Sequence, residues 1–331
     1  MDLPDSMWAA RYPTSGPDAG VIRVERVPRP DPGPGEVLVA VAVSGVNPTD
    51  WKARSNRTGT GSSWVTPNQD GAGRIVAVGR GVPAQRVGER VWVWQAAWNR
   101  AGGTAAEYVA VPADQAVALP SSASYDLGAG LGIPAMTAYH CLFHPGPPRP
   151  GDRVLVHGGA GAVGHAAIEL ARHRGAEVAA TVSNAYKAKL AAAAGADLVI
   201  DYRTEDVAAA VRRWAPAGVA RIVEVDLARN LTTDSAVVAP GGAIAVYART
   251  EQPVLPPWDL MVANARVDFV LVYTIDEDAE RAAVEGVTTA VRDGALTPLP
   301  GARFSLAEAA AAHDAVQAGH TGKVLIDVGT A

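Results

Sequence analysis

The segment VLVHGGAGAVGHAAIELARHRGAEVAATVS, residues 154–183, constrains the fold more than any other part of the chain. An apolar run leads directly into GAGAVG at 159–164, a G-x-G-x-x-G pattern, and then into a helical run. In such a strand-turn-helix unit Gly159 allows the tight turn, Gly161 lets backbone approach a pyrophosphate, and Gly164 lets helix pack on strand. The helix amino terminus adds unpaired N–H groups and a positive dipole end. The segment therefore predicts a dinucleotide-binding fold.

The second strand of this unit ends in Ser183 rather than in an acidic residue. In sites that prefer NAD, an Asp or Glu about 20 residues after the glycines accepts the ribose 2′-hydroxyl. Here no carboxylate repels a 2′-phosphate, Ser183 can donate to it, and Lys187 can place an ammonium beside it. Lys189 is the nearest competitor for that role. The sequence therefore predicts NADPH as the cofactor.

The two halves of the chain have different hydrophobic patterns. Short apolar or alternating runs such as GEVLVAVAVSGV and ERVWVW, broken by Gly, Pro and Asp, predict an antiparallel, barrel-like domain between about residues 20 and 120. A helical pattern begins near residue 127, and strands and helices then alternate from RVLVHG to GAIAVYA with short connections. That alternation predicts a parallel sheet with helices on both faces. The fold class is therefore α/β, a doubly wound parallel sheet plus a β-barrel domain.

Composition excludes several classes of function. The 331 residues suffice for about two domains. A formal net charge of -5 without a local cluster of Lys or Arg argues against a nucleic-acid-binding surface. The sequence contains no apparent signal peptide and no stretch of 18 apolar residues, so we expect a cytoplasmic protein that does not cross a membrane. Cys141 is the only cysteine, which excludes an intrachain disulfide and a multi-cysteine zinc site.

Six motifs lie along the chain in a fixed order: SGVNPTD at 44–50, QDGAGRIVAVG at 69–79, GIPAMTAYHCL at 132–142, GAGAVG at 159–164, GADLVIDYRTED at 195–206 and HTGKVLIDV at 320–328. With these motifs the chain resembles the zinc-free quinone oxidoreductases, the zeta-crystallin-like branch of the medium-chain dehydrogenase/reductase superfamily. The resemblance implies a GroES-like catalytic domain, 1–126 completed by 276–331, and a Rossmann NADPH-binding domain, 127–275, with strand order 3-2-1-4-5-6. It also implies that the nicotinamide lies in the cleft between these domains.

Position by position, the resemblance implies a set of cofactor contacts: Asn47, Thr137, Ala162, Val163, Ser183, Lys187, Tyr202, Tyr247, Ala248, Tyr273 and Lys323. Tyr202 would stack or donate near the adenine ribose phosphate. Zinc-dependent relatives place a cysteine in the segment that reads VNPTD here, and Gly-His-Glu at the position of Gln69-Asp70-Gly71. Neither ligand set is present, so we assign no metal.

Without zinc there is no Lewis acid to polarise an alcohol, whereas quinones and α,β-unsaturated carbonyls are already electrophilic. Hydride delivery to such substrates depends chiefly on positioning. Asn47 and Thr137 could orient the nicotinamide or bind the substrate oxygen, and Lys52 could stabilise the developing enolate or quinol anion. Asp50, the acidic residue of the same NPxD segment, completes the candidate catalytic residues.

The favoured function is an NADPH-dependent quinone oxidoreductase acting on a small molecule. An enone or enoyl-thioester reductase of the same superfamily is the alternative within enzymes, because both use the same hydride geometry. A cofactor-binding protein without turnover is the alternative outside enzymes. The apolar run VDFVLVY at 267–273 predicts a strand whose open edge would be an aggregation hazard, and resembling proteins pair this edge across a twofold axis, so we expect a homodimer.

Overall fold

The computed structural model describes residues 3–18, 20–56, 61–248, 251–252 and 257–329. The first part of the chain contains, in order, β1 (Ser6–Pro13), β2 (Arg23–Pro28), β3 (Glu36–Val46), α1 (Pro48–Asn56), β4 (Trp64–Val65), β5 (Asp70–Val78), β6 (Arg90–Val93), β7 (Tyr108–Pro112), β8 (Ala116–Ala118) and α2 (Tyr125–Gly128). A π-helical turn at Leu131–Ala135 follows.

The remainder alternates between helix and strand: α3 (Met136–Phe143), β9 (Arg153–Val156), α4 (Ala162–His173), β10 (Glu177–Val182), α5 (Ala185–Ala193), β11 (Leu198–Asp201), α6 (Val207–Trp214), β12 (Val219–Glu224), α7 (Leu227–Val237), β13 (Val238–Val246), α8 (Pro257–Val262), β14 (Arg266–Phe269), α9 (Glu277–Arg292), β15 (Arg303–Ser305), α10 (Ala309–Gln317) and β16 (Val324–Asp327). The described residues also form short 3₁₀ turns at Ala84–Arg86, Ala113–Gln115, Val272–Thr274 and Leu306–Glu308.

The chain forms two compact units, Met1–Ile133 with Pro298–Ala331, and Pro134–Thr297. These limits differ from the domain limits expected from the sequence. Helix α9 falls in the second unit because it packs closely on α3: a Cβ at Gly286 would lie 2.0 Å from the Tyr139 ring. The expected division into a catalytic domain, 1–126 with 276–331, and an NADPH-binding domain, 127–275, stays a prediction.

The first unit is built on antiparallel sheets, as the alternating runs predicted. One sheet has the order β2-β1-β4, and a seven-stranded sheet has the order β15-β16-β3-β5-β6-β8 with β7 also paired to β3. Among the described strands of this sheet, only β15 and β16 pair in parallel. Valines that alternate along β3 pack on apolar residues of the neighbouring strands and bury one face of the sheet.

The second unit contains a six-stranded sheet in the order β11-β10-β9-β12-β13-β14, and every adjacent pair is parallel. Numbered from β9, this order is 3-2-1-4-5-6, so the doubly wound topology is confirmed. Strand β9 buries three of its four residues, as expected of a central strand covered by helices on both faces. The carboxyl ends of all six strands therefore share one edge of the sheet.

Two local expectations are corrected. The helical pattern from residue 127 is interrupted, because α2 ends at Gly128 and Pro134, which lacks an N–H, stands in the π-helical turn before α3. The strand expected at 267–273 is only Arg266–Phe269, because the chain turns into a 3₁₀ turn at Val272–Thr274. Among the described helices, none is both long enough and apolar enough to cross a membrane.

Candidate dinucleotide site and buried polar cluster

The glycine loop joins β9 to α4 at the carboxyl edge of the parallel sheet. Gly158 has a φ of +70°, a conformation that glycine adopts without a Cβ penalty. The N–H of Gly159 donates to Thr181 O at 3.0 Å, and the N–H of Gly161 donates to Gly158 O at 2.9 Å. Gly161 is the N-cap of α4, and its lack of a side chain leaves the first turn of the helix uncapped by any side-chain hydrogen bond. Backbone N–H groups of this turn are therefore available to a phosphate.

The close packing around the loop requires glycine at two positions. A Cβ at Gly164 would lie 2.3 Å from Gly158 O, and a Cβ at Gly159 would lie 2.8 Å from the Cβ of Ala180 in β10. A Cβ at Gly161 would lie 3.3 Å from its nearest non-neighbouring atom, Gly158 O. Gly159 and Gly164 thus serve helix-strand packing, whereas Gly161 leaves open space on the side where a pyrophosphate would approach. Ala162 and Val163 follow Gly161 as the first two residues of α4.

Strand β10 ends next to the amino terminus of α5. Ser183 is buried at the strand end, and Asn184 caps α5 by accepting the N–H of Lys187 at 2.9 Å. This cap fixes Lys187 in the first turn of α5, five residues after the end of β10, with a half-buried side chain. Lys189 is exposed and lies two residues further along the helix, about 200° around its axis from Lys187.

The end of β11 brings a tyrosine beside this position. The N–H of Tyr202 donates to Val182 O at 3.1 Å, so Tyr202 lies next to Ser183, and 54% of its surface is exposed. A carboxylate from the neighbouring strand does lie near the end of β10, because Asp201 of β11 pairs in register with Val182. Its Oδ1 accepts the N–H of Arg203 at 3.1 Å, so Asp201 caps its own turn and presents Arg203 to solvent.

Sequence reasoning did not single out Asp201 or Arg203. The signal was available, since DYRTED directly follows a strand whose end shares the edge with Ser183.

The other expected cofactor contacts of the second unit lie on separate elements. Tyr247 and Ala248 follow β13 and are half-buried, and the N–H of Tyr247 donates to Glu224 O at 3.1 Å. Burial, and secondarily Cys141 and Glu224, raises the pKa of the Tyr247 hydroxyl, so it stays protonated. Tyr273 is buried in the Val272–Thr274 turn, and Thr137 is buried in α3.

A cluster of buried polar residues lies in the first unit, where Asn47, Asp50, Asp70 and Lys323 come together. Asn47 immediately precedes α1, and Asp50 Oδ2 accepts the Asn47 N–H at 2.7 Å, which is the reciprocal half of a capping box. The Asn47 amide donates through Nδ2 to Asp70 Oδ2 at 2.7 Å and accepts through Oδ1 from Lys323 Nζ at 2.8 Å. Lys323 Nζ lies 3.6 Å from Asp70 Oδ2, so the two form a buried ion pair.

Small residues make room for this cluster. A Cβ at Gly45 would lie 3.0 Å from Lys323 Nζ, and a Cβ at Gly132 would lie 2.3 Å from Asp70 Oδ1. Asp70 Oδ1 also accepts the N–H of Ile133 at 2.8 Å. The side chain of Asp70 therefore has partners on both oxygens although it is fully buried.

Burial dominates the electrostatics of the cluster. It raises the pKa of Asp50 to about 7, with a further increase from Asp70. It raises the pKa of Asp70 and lowers that of Lys323, while the attraction between these two groups opposes both shifts. The raised pKa places the titration of Asp50 near neutral pH.

Lys52 lies outside this hydrogen-bonded cluster. Its ammonium sits over the Trp51 ring, 5.8 Å from the ring centroid, and no ion pair of Lys52 is found among the described residues. The structure therefore groups Asn47 and Asp50 with Lys323. Sequence reasoning had placed Lys323 among the cofactor contacts and not with the catalytic candidates.

A second buried charged cluster was missed by sequence reasoning. His157 directly precedes the glycine loop, and its Nε2 lies 2.9 Å from Asp234 Oδ1 and 3.4 Å from Glu224 Oε2. All three side chains are buried. No local sequence pattern links them, because Asp234 is 77 residues away on α7.

Comparison with known proteins agrees with this geometry. Residues 33–121 match the alcohol dehydrogenase GroES-like domain, and residues 162–288 match the zinc-binding dehydrogenase domain. The human protein named quinone oxidoreductase is 30% identical over 319 residues, which cover 94% of this chain and 94% of that protein.

Solved structures are similar over nearly the whole chain. A mycobacterial quinone oxidoreductase has a TM-score of 0.84 at 30% identity, with 97% of this chain and 100% of the other chain covered. A mycobacterial structure complexed with NADPH gives a TM-score of 0.82 at the same identity and coverage. The resemblance inferred from the six motifs is confirmed, and the chain belongs to the zinc-free quinone oxidoreductase branch of the medium-chain dehydrogenase/reductase superfamily.

Proposed function

We propose that this protein is an NADPH-dependent quinone oxidoreductase that transfers hydride without a metal ion. The observation that carries the cofactor assignment is the end of β10, where a buried Ser183 and the first-turn Lys187 stand in place of a carboxylate. An acidic side chain at this position would repel a 2′-phosphate, whereas a hydroxyl and an ammonium attract it.

The residues present fit a dinucleotide. The open side of Gly161 and the uncapped first turn of α4 offer N–H groups to the pyrophosphate. Ser183, Lys187 and Tyr202 surround the strand edge at which the adenine ribose phosphate would lie. The further cofactor contacts that the family resemblance implies are Tyr247, Ala248, Tyr273 and Lys323.

The first-unit cluster does not fit zinc. In the VNPTD segment, where zinc-dependent relatives place a cysteine, the Asn47 amide donates to Asp70. In the Gln69-Asp70-Gly71 segment, where those relatives have Gly-His-Glu, Asp70 forms an ion pair with the Lys323 ammonium. Zinc ligands are thiolate, imidazole or free carboxylate, and Lys323 would repel a divalent cation at this distance. The donor set therefore supports a metal-independent reaction.

The chemistry then depends on position and charge. NADPH, when bound, supplies the hydride. A quinone is electrophilic without a Lewis acid, so the protein has to orient it and stabilise the anionic product. In the proposed roles Asp50 holds Asn47, Asn47 and Thr137 orient the reactants, and Lys52 provides the positive charge that stabilises the quinol anion.

Steady-state oxidation of NADPH tests this function when a panel of quinones is compared with a panel of enones and enoyl thioesters. We expect turnover with quinones at a kcat/KM well above that for the other acceptors. Preference for enones or thioesters would assign the reductase alternative, and tight NADPH binding without turnover would assign a binding protein.

We expect Lys187→Ala to weaken NADPH binding about tenfold and to leave NADH binding unchanged. One charge-assisted hydrogen bond to the 2′-phosphate is lost, a change on the order of 1.5 kcal/mol. Fluorescence titration with both coenzymes measures it. Lys189→Ala is the matched control, because it removes the same charge from the exposed neighbouring position. Equal losses for NADPH and NADH would contradict the assignment.

We also propose a homodimer formed through the open edge of β14. This strand ends the parallel sheet, and Phe269 and Leu271 beside it are 75% and 50% exposed. A Phe269→Glu, Leu271→Glu variant should have half the mass of wild type by light scattering, because the added carboxylates resist burial. Val21→Glu, at an exposed valine of the first unit, should leave the mass unchanged. A monomeric wild type would refute the dimer.

A further inference from the structure

The second buried charged cluster, formed by His157, Glu224 and Asp234, is linked directly to the glycine loop. The hydroxyl of Thr181 lies 3.1 Å from His157 Nδ1 and accepts the N–H of Gly158 at 3.2 Å. The backbone oxygen of the same threonine accepts the N–H of Gly159. One residue of β10 therefore ties the imidazole ring to the first two glycines of the loop.

The partners of His157 in the cluster come from two further elements, β12 and α7. Glu224 ends β12 and accepts the N–H of Asp226 and the Nδ2 group of Asn230. Asp234 lies on α7 and accepts from His157 Nε2 through Oδ1. Its Oδ2 is buried and has no hydrogen-bond partner among the described residues. An orphan carboxylate oxygen at 0% exposure is costly unless another group donates to it.

The charges of the cluster do not balance without an additional proton. Two fully buried carboxylates face a single imidazole, so the cluster carries a net charge of −1 even when His157 is protonated. A proton on Glu224 would neutralise the cluster and provide the donor that Asp234 Oδ2 lacks. Burial and the neighbouring Asp234 raise the pKa of Glu224 to about 7 against the opposing effect of His157. Burial lowers the pKa of His157, whereas Asp234 and Glu224 raise it. Because the effect of the two carboxylates is the larger one, the net shift of the pKa is upward.

We propose that His157, Glu224 and Asp234 are positioning residues for the glycine loop, and that a proton held between Glu224 and Asp234 tightens the binding of the anionic dinucleotide. The inference rests on the proposed function, because it assumes a pyrophosphate at this loop. Loss of the proton places one negative charge directly beneath the loop, and that charge repels the phosphates. The expected loss of affinity is on the order of tenfold. This is the effect of the repulsion between two unit charges about 10 Å apart at an effective dielectric constant of about 20.

Other ionisable groups near the cluster do not account for such a dependence between pH 6 and 8.5. Burial raises the pKa of the Cys141 thiol to about 12 and raises that of Tyr247, so both stay neutral. Asp226 forms a surface ion pair with Arg229 at 3.2 Å. Thr181 and Asn230 complete the surroundings and do not titrate.

The decisive variant is Glu224→Gln, which copies the protonated carboxyl. Its amide oxygen can accept from Asp226 and Asn230 as Glu224 does, and its amide nitrogen can donate to Asp234 Oδ2. We expect its dissociation constant for NADPH to match wild type at pH 6.5 and to be about tenfold lower than wild type at pH 8.5. Comparing the two proteins at each pH cancels the titration of the 2′-phosphate itself.

Glu169→Gln is the matched control, because Glu169 is a buried carboxylate of the same unit and also lies beside a histidine, His165. Its Oε2 accepts the N–H of Thr297. It should keep the wild-type pH profile. A Glu224→Gln profile that parallels wild type would overturn the inference and leave the proposed function intact. Failure of wild type to bind NADPH at any pH would instead overturn the proposed function.

A measurement on wild type alone covers the case in which Glu224→Gln does not fold. Calorimetric titration with NADPH at pH 8, in buffers of different ionisation enthalpy, reports protons exchanged on binding. The 2′-phosphate is fully ionised at this pH, so it contributes no proton uptake of its own. We expect uptake of a substantial fraction of one proton per site. Binding without proton uptake would refute the inference.

Discussion

A Lys323→Met variant is expected to lose about 3–5 kcal/mol of unfolding free energy at pH 8. The substitution removes the ammonium that donates to Asn47 and pairs with Asp70, and it leaves a fully buried carboxylate without a compensating charge. Methionine approximates the length of the lysine stem, so little packing is lost. Urea unfolding followed by tryptophan fluorescence measures the difference.

The loss should be smaller at pH 5. In the variant the pKa of Asp70 rises above its already raised value, because the ammonium no longer stabilises the charged form. The folded state then binds a proton that the unfolded state releases above about pH 4, so unfolding free energy falls as pH increases through this window. The deficit of the variant relative to wild type therefore grows from pH 5 to pH 8.

A double variant separates charge from packing. In Lys323→Met, Asp70→Asn the unpaired charge at position 70 is gone, and the Asn47 amide is free to flip so that its oxygen accepts from the new side chain. We expect this protein to recover more than half of the stability lost in the single variant. A single variant that loses less than 1 kcal/mol at pH 8 would show that the ion pair is not what stabilises the cluster.

Gly164→Ala is expected to weaken NADPH binding by 10- to 100-fold and to destabilise the fold by about 1–3 kcal/mol. The new Cβ would lie 2.3 Å from Gly158 O, and neither atom can move without moving the backbone that carries it. The loop or α4 must shift, and either shift moves the N–H groups of the first helical turn away from the pyrophosphate. Fluorescence titration and thermal unfolding measure the two effects.

Gly146→Ala is the matched control for this substitution. Gly146 belongs to the same unit, has no other atom within 4 Å of a built Cβ, and does not have positive φ. It should bind NADPH as wild type does. Full affinity in Gly164→Ala would mean that the loop tolerates displacement, and the role assigned to this glycine would then be wrong.

Local sequence determined the dinucleotide-binding fold. The glycines, the strand before them and the helix after them are adjacent in the chain, and their periodicity reports their structure directly. The absence of a carboxylate at Ser183 was likewise visible without coordinates, because one strand and one turn define that position. The parallel strand order 3-2-1-4-5-6 was implied by the family resemblance, while the alternation of strands and helices predicted only a parallel sheet.

Tertiary structure alone decided which polar residues share a cluster. Lys323 meets Asn47 from 276 residues away, and His157 meets Asp234 across 77 residues. No local propensity or spacing encodes such pairs, since they form only when distant strand ends are brought to one place and water is removed. Burial also gives Asp50 and Glu224 their unusual pKa values, because the cost of a charge depends on the surrounding medium and partners and not on neighbours in the sequence.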